Sequence, residues 1–148
     1  MDIKVKGILA SKGADVWAVR PDSTVLEALK VMAEKNIGAV LVTEGERLAG
    51  IFSERDYARK VALESKPCKD TVINELMTTE LISVDLDTTL QTCLTLITEH
   101  HIRHLPVLNG GKLVGMLTIG DVVKHIIQHL EITVKDLENY ISGGGYGG

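Results

Sequence analysis

The chain has 148 residues, 45% of them apolar and 24% charged, with a formal net charge of −4. That balance supports a folded core and excludes wholesale disorder, and the acidic excess argues against sequence-independent binding to nucleic acid or an anionic membrane. Only five residues are aromatic, so no base-stacking platform exists and the core must be aliphatic.

In chain order, residues 1–15 form an N-terminal segment with a short amphipathic turn carrying Val5, Ile8 and Leu9. It lacks the apolar stretch of a signal peptide, and no run reaches the ~18 residues of a membrane span, so a cytoplasmic protein with no membrane contact is expected. Residues 16–19 read as a short strand before the turn at Pro21-Asp22. A helix follows, opened by Thr24 with Glu27 at capping-box spacing and carrying Val25, Leu26, Leu29, Met32 and Ala33 on one face. Two strands, 39–43 and 48–52, are joined across Gly45, and a second helix starts at Ser53 with Tyr57, Ala58, Val61 and Ala62 on its apolar side. Residues 65–77 are a linker with a short turn carrying Val72, Leu76 and Met77.

The same order then recurs. Residues 81–84 read as a strand, and a helix opens at Thr88 with Gln91 three residues on. Strands 105–108 and 112–117 flank Asn109-Gly110-Gly111, a strong hairpin signal, and the next helix starts at Thr118. Thr133 and Asp136 mark a separate C-terminal helix over 131–142, and 143–148 read as a flexible glycine-rich tail. Shifted by 65 residues, 17–59 falls on 82–124 without a gap, with 11 of 43 pairs identical, where average composition gives roughly three. The chain is two copies of one β-α-β-β-α unit, over 16–64 and 78–130.

Each copy ends in a Gly-h-x-Ser/Thr-x-x-Asp stretch: Gly50-Ile51-Phe52-Ser53-Glu54-Arg55-Asp56 and Gly115-Met116-Leu117-Thr118-Ile119-Gly120-Asp121. With residues 19–25 and Arg103-His104-Leu105-Pro106-Val107, these stretches resemble a tandem pair of cystathionine-β-synthase-type (CBS) domains, as in small stand-alone bacterial CBS-pair proteins. The resemblance spans about residues 5–130. It implies an α+β fold with two pseudo-symmetric motifs packed as a pair (a Bateman-type module), a homodimer, and clefts that bind adenine nucleotides without chemistry. AMP is the foremost ligand implied, with ADP, ATP, NAD or S-adenosylmethionine as alternatives, and the output is a conformational change passed to an unknown protein partner.

Elementary physics gives these boxes a reason to bind. A helix start presents unpaired N–H groups and the positive end of its dipole, which favour phosphate. The Ser53 or Thr118 hydroxyl would add a bond, and Asp56 or Asp121 would accept from ribose hydroxyls. Gly50 and Gly115 would admit a close neighbour, whether ligand or backbone. One site would comprise Trp17, Val19, Gly38, Ala39, Val40, Ser53, Arg55 and Asp56. The other would comprise Ile82, Ser83, Val84, Arg103, His104, Leu105, Pro106, Val107, Thr118 and Asp121, with backbone near Ser83 and 104–106 reading the adenine edge. Each cleft would have its own arginine, Arg55 or Arg103, for phosphate. The bland alternative is that Ser/Thr-x-x-Asp only caps a helix, leaving a dimerisation scaffold with vestigial clefts.

Catalytic patterns are absent: there is no G-x-S-x-G, Walker loop or G-x-G-x-x-G. Cys93 reads as a small core residue, and Cys68 has no activating base; without C-x-x-C the pair indicates neither zinc knuckle nor disulfide framework. His100, His101 and His104 cluster, and Asp121, His125 and His129 share a helix face that could hold zinc or nickel, as a metal-assisted hydrolase would need. A solvated or interface face is the preferred reading, and no metal site is expected. The stripe Val122, Val123, Ile126, Ile127 and Leu130 points to contact with a second subunit.

Overall fold

The computed structural model describes residues 3–141, so the expected tail over 143–148 lies outside the described residues. Helix α1 (Val5–Lys12) leads to a two-residue strand β1 (Ala18–Val19) and helix α2 (Val25–Lys35). Strands β2 (Ala39–Glu44) and β3 (Arg47–Ser53) form an antiparallel hairpin, and β1 lies parallel to β2 in a three-stranded sheet. One helical turn, α3 (Glu54–Asp56), widens directly into a π-helical stretch over Tyr57–Ala62. A 3₁₀ turn (Ile73–Glu75) precedes the second copy: α4 (Leu90–His100), β4 (His104–Asn109), β5 (Lys112–Thr118) and α5 (Ile119–Asn139).

The local chemistry repeats with the sequence. Both hairpins slip register at matched positions, Val42/Thr43 and Val107/Leu108, and both turn on positive-φ glycine: Gly45 at 62°, then Gly110 at 60° and Gly111 at 85°. Helices α2 and α4 end on left-handed residues, Asn36 and His101, at φ 54° and 52°. The expected strand over 81–84 is reduced to one parallel bridge, Val84 to Val107. The cap of α4 is Thr89, which accepts from the Thr92 N–H at 3.2 Å, not Thr88. Thr88 instead accepts from the Asp85 N–H, as Ser23 accepts from that of Arg20 in the first copy. No second helix begins at Thr133. Its hydroxyl donates to the His129 carbonyl at 3.0 Å inside an unbroken α5.

The segments ahead of each copy are exchanged. Val5, Ile8 and Leu9 of α1 are buried with Val84, Leu90, Cys93, Ile97, Leu105, Val107, Leu117 and Val122, in the core of the second unit. Ile73 and Leu76, ahead of the second unit, are buried with Val19, Val25, Ala28, Met32, Val40, Val42, Phe52 and Val61 in the core of the first. Matching backbone bonds fix both. The Val5 N–H donates to Thr88 and that of Lys6 to Leu86, while the Ile73 N–H donates to Ser23 and that of Asn74 to Pro21. Gly50 and Gly115, at the centres of β3 and β5, make room for this exchange. A Cβ on Gly50 would lie 2.7 Å from Met77 Sδ and 2.9 Å from the Thr78 carbonyl oxygen, and one on Gly115 would lie 2.8 Å from a Leu9 methyl. The neighbours they admit are protein rather than ligand.

Candidate functional site

Both Ser/Thr-x-x-Asp stretches form reciprocal capping boxes. The Ser53 N–H and hydroxyl donate to Asp56 Oδ2 at 2.9 and 3.0 Å, and the Asp56 N–H donates back to Ser53 Oγ at 3.2 Å. In the second copy the Thr118 N–H donates to Asp121 Oδ2 at 2.8 Å, and the Asp121 N–H returns to Thr118 Oγ1 at 3.1 Å. The first-turn amides of Glu54 and Ile119 donate to the carbonyls of Gly38 and Arg103. The expectation of helix starts aimed outward with free donors is therefore corrected. Most of those donors are already satisfied within the fold, because a carboxylate three residues after the cap closes the ring on itself.

The carboxylates are also neutralised. Asp56 is buried; its Oδ1 accepts from Thr78 Oγ1 at 3.3 Å and faces Lys60 Nζ at 3.3 Å. Asp121 meets Lys12, whose ammonium donates to its Oδ2 at 2.6 Å and to the Met116 carbonyl at 2.8 Å. Burial pushes the Asp121 carboxyl up, but the Lys12 hydrogen bond and charge, with the bonds to Thr118, outweigh it and hold the group below its ordinary value.

Between the units lies a cleft of about 340 Å³, lined by Gly38, Ile51, Ser53, Glu54, Arg55, Asp56, Thr78 and residues 101–104. That volume falls in the range of small-molecule sites. Arg55 and Arg103, expected in separate clefts, line this same one. Arg103 and His104 therefore line the cleft of Ser53 and Asp56, while the β4–β5 ladder also sets His104 opposite Thr118. The left-handed His101 presents its carbonyl to Arg55 Nη1 at 3.2 Å. His104 titrates below its ordinary value, first because it is buried and then because the Arg103 charge opposes its protonation. Gly38 keeps the floor open: a Cβ there would stand 3.9 Å from both the Glu54 carboxylate and the His104 ring.

The remaining expected residues are elsewhere. Val19, Ala39, Val40, Val84, Leu105 and Val107 are core residues. Pro106 is buried, and its carbonyl already accepts from the Val84 N–H at 3.0 Å. Ile82 packs against the second core, and Ser83 lines a separate 550 Å³ groove with Arg47 and Asn74. Exposed Trp17 is covered by Lys35 Nζ, 4.4 Å from the ring centroid, and its carbonyl accepts from Leu41. Sequence reasoning missed Ile51, Glu54, Thr78, His101 and Ile102 as lining residues. His101 carried a signal, since it falls on Asn36 in the repeat and so on a helix-ending turn. His125 Nδ1 lies 2.9 Å from the Asp121 carbonyl, so its ring is turned to its own helix. Among the described residues, no group of three or more His, Cys, Asp and Glu converges, and no helix is long and apolar enough to cross a membrane.

Comparison with known proteins gives the same architecture. The chain is 37% identical over 147 residues to the CBS domain-containing protein CBSX3, mitochondrial, of Arabidopsis thaliana, covering 96% of this chain and 70% of that one. Among solved structures it is similar to the CBS domain NE2398, with a TM-score of 0.82, 49% identity, and 86% and 99% of the two chains covered. It also resembles a candidate signal-transduction protein with CBS domains from Burkholderia ambifaria, with a TM-score of 0.82, 46% identity, and 85% and 95% covered. The CBS domain model matches residues 5–63 and 73–128, so with two such motifs spanning most of its length, the chain belongs to the CBS-domain family.

Proposed function

We propose that the chain is a regulatory module, without chemistry of its own, that binds an adenine nucleotide between its two units and passes occupancy to a partner protein. AMP is the first candidate ligand, with ADP, ATP, NAD and S-adenosylmethionine as alternatives. The observation that carries this reading is the convergence of Arg55 and Arg103, from different units, on one 340 Å³ cleft. Lys60 already neutralises Asp56, so the two arginines lining the cleft exceed the one remaining carboxylate there, that of Glu54, an excess suited to phosphate. A ligand that bridges both arginines binds the two units as a pair, and so can shift how they sit together. Ribose hydroxyls would reach Asp56 by replacing the Thr78 hydroxyl.

A second reading, a scaffold with vestigial clefts, draws on the closed capping boxes and on Lys12 seated against Asp121. Calorimetric titration with the five ligands separates the two. Binding requires heat and a raised melting temperature, since a ligand of the native state must stabilise it. Arg103→Ala should weaken binding about tenfold or more at unchanged melting temperature, as a charge-assisted contact is lost. No heat and no melting shift with any of the five would leave the scaffold reading.

A further inference from the structure

The charges of the open cleft are not part of what the two copies share. Shifted by 65 residues, Glu54 falls on Ile119, Arg55 on Gly120 and Arg103 on Gly38. The common architecture is therefore built without any of the three. Glu54 is the odd one among them, an anion in a cleft otherwise furnished for phosphate. A helix start favours a carboxylate, but Asp56 already supplies one in the same turn. The Glu54 side chain lines the cleft with both arginines, and its carboxylate would stand 3.9 Å from a Cβ on Gly38, as would the His104 ring. Among the described residues, neither the Glu54 carboxylate nor the Arg103 guanidinium has a hydrogen-bond or ion-pair partner. Opposite charges thus share one cleft without meeting.

We propose that Glu54 sets how many phosphates this cleft accepts, admitting a nucleoside monophosphate and turning away the triphosphate. The inference rests on the nucleotide reading of the cleft and adds a residue that selects among nucleotides. The reason is a count of charges. Lys60 and Lys12 are committed to Asp56 and Asp121, at 3.3 and 2.6 Å, which leaves Arg55 and Arg103 as the cations of the lining. A phosphate monoester carries about −1.5 to −2 charges near neutrality, so one such group uses both guanidiniums. A second or third phosphate finds no further cation on the lining and meets the Glu54 carboxylate instead. A like charge placed against the wrong ligand is a means of discrimination that costs the right one little.

Calorimetric titration of the full chain with AMP, ADP and ATP tests the proposal, without divalent metal so that ATP keeps its full charge. The wild type should bind AMP most tightly and ATP least. Glu54→Gln keeps the shape and removes the charge. It should raise the affinity for ATP about tenfold, and for AMP about threefold or less, so the preference narrows. Glu54→Asp keeps the charge and should keep the preference. Glu54 is exposed, so both variants should melt as the wild type does. A wild type that takes ATP as tightly as AMP, or a Glu54→Gln chain with the wild-type preference, would overturn the proposal and leave the nucleotide function standing. Silence with all three overturns it as well, and only silence with NAD and S-adenosylmethionine too removes the function itself.

Discussion

Replacing Lys12 with Met tests the charge contact that ties α1 to the second capping box. Methionine keeps the aliphatic stem packed and removes only the ammonium. That ammonium bonds Asp121 at 2.6 Å and the Met116 carbonyl at 2.8 Å, with 26% of the lysine side chain and 21% of the aspartate exposed. Fully exposed pairs contribute about 0.2–1 kcal/mol and charged hydrogen bonds about 1.5–3, so this partly covered pair should be worth about 1–2 kcal/mol. For a chain of this length, 1 kcal/mol moves the melting temperature by about 3 °C, so Lys12→Met should melt about 3–6 °C lower at neutral pH. The pH dependence identifies the cause. The Asp121 carboxyl titrates below its ordinary value of 3.8, so its contribution is fully present above that value and is lost as pH falls through the folded-state value. The gap between wild type and variant should stay constant from neutrality to mildly acid pH and close only when Asp121 protonates. Calorimetric melts from pH 7 downward read this directly. Equal melting temperatures at neutrality would refute the energetic argument, and a gap that survives acid would show that Lys12 acts by packing.

Gly50→Ala should lower stability by about 1–3 kcal/mol, because the new methyl meets the Thr78 backbone carbonyl as well as Met77. Gly115→Ala meets only the movable methyls of Leu9 and should cost less than about 1 kcal/mol, a contrast that urea unfolding midpoints would reveal. His104 titrates below its ordinary value of 6.5 through burial and the nearby Arg103 charge; a phosphate beside Arg103 raises it again, so nucleotide binding should take up protons and strengthen as pH falls towards the lowered free-state value, checked by calorimetry in two buffers of different ionisation enthalpy. The Cys93 thiol, pushed up to about 11 by burial, should react with a disulfide reagent only as the chain unfolds, while partly exposed Cys68 reacts in the native state.

What could be read from the sequence was what neighbouring residues decide. The hairpins at Gly45 and Gly110-Gly111, the caps at Thr24, Ser53 and Thr118, and the burial of Cys93 follow from turn chemistry, capping and periodicity. The cap of α4 failed because Thr88 and Thr89 offer the same hydroxyl one residue apart. The repeat resolves it, since Thr89, not Thr88, falls on Thr24. The break expected at Thr133 failed for a related reason: with no glycine or proline between 121 and 139, a threonine hydroxyl can bond back to its own helix as readily as start a new one. The exchange of α1 and the 3₁₀ turn between units, and the meeting of Arg55 with Arg103, depend on packing between distant segments. No local pattern encodes them.

The two boxes differ because of one position. Four residues after Asp56 stands Lys60, which neutralises it from the same helix and donates to the Leu76 carbonyl at 3.0 Å. Four residues after Asp121 stands His125, whose ring is turned to the Asp121 carbonyl instead. The second carboxylate is therefore left for a cation from elsewhere, and the exchanged α1 supplies it through Lys12. The first box has its neutralising cation on its own helix, with Thr78 adding one hydrogen bond from outside and Arg55 and Arg103 lining the same cleft. The second is held by an element entering from ahead of the opposite unit. A ligand drawing on Asp121 would have to compete with Lys12, and the release of that lysine would loosen the end of α1 from the second unit. The same substitution, Lys12→Met, should then raise any affinity of the second box for nucleotide while lowering the melting temperature of the free chain. A stabilising contact at a binding site acts against binding in this way.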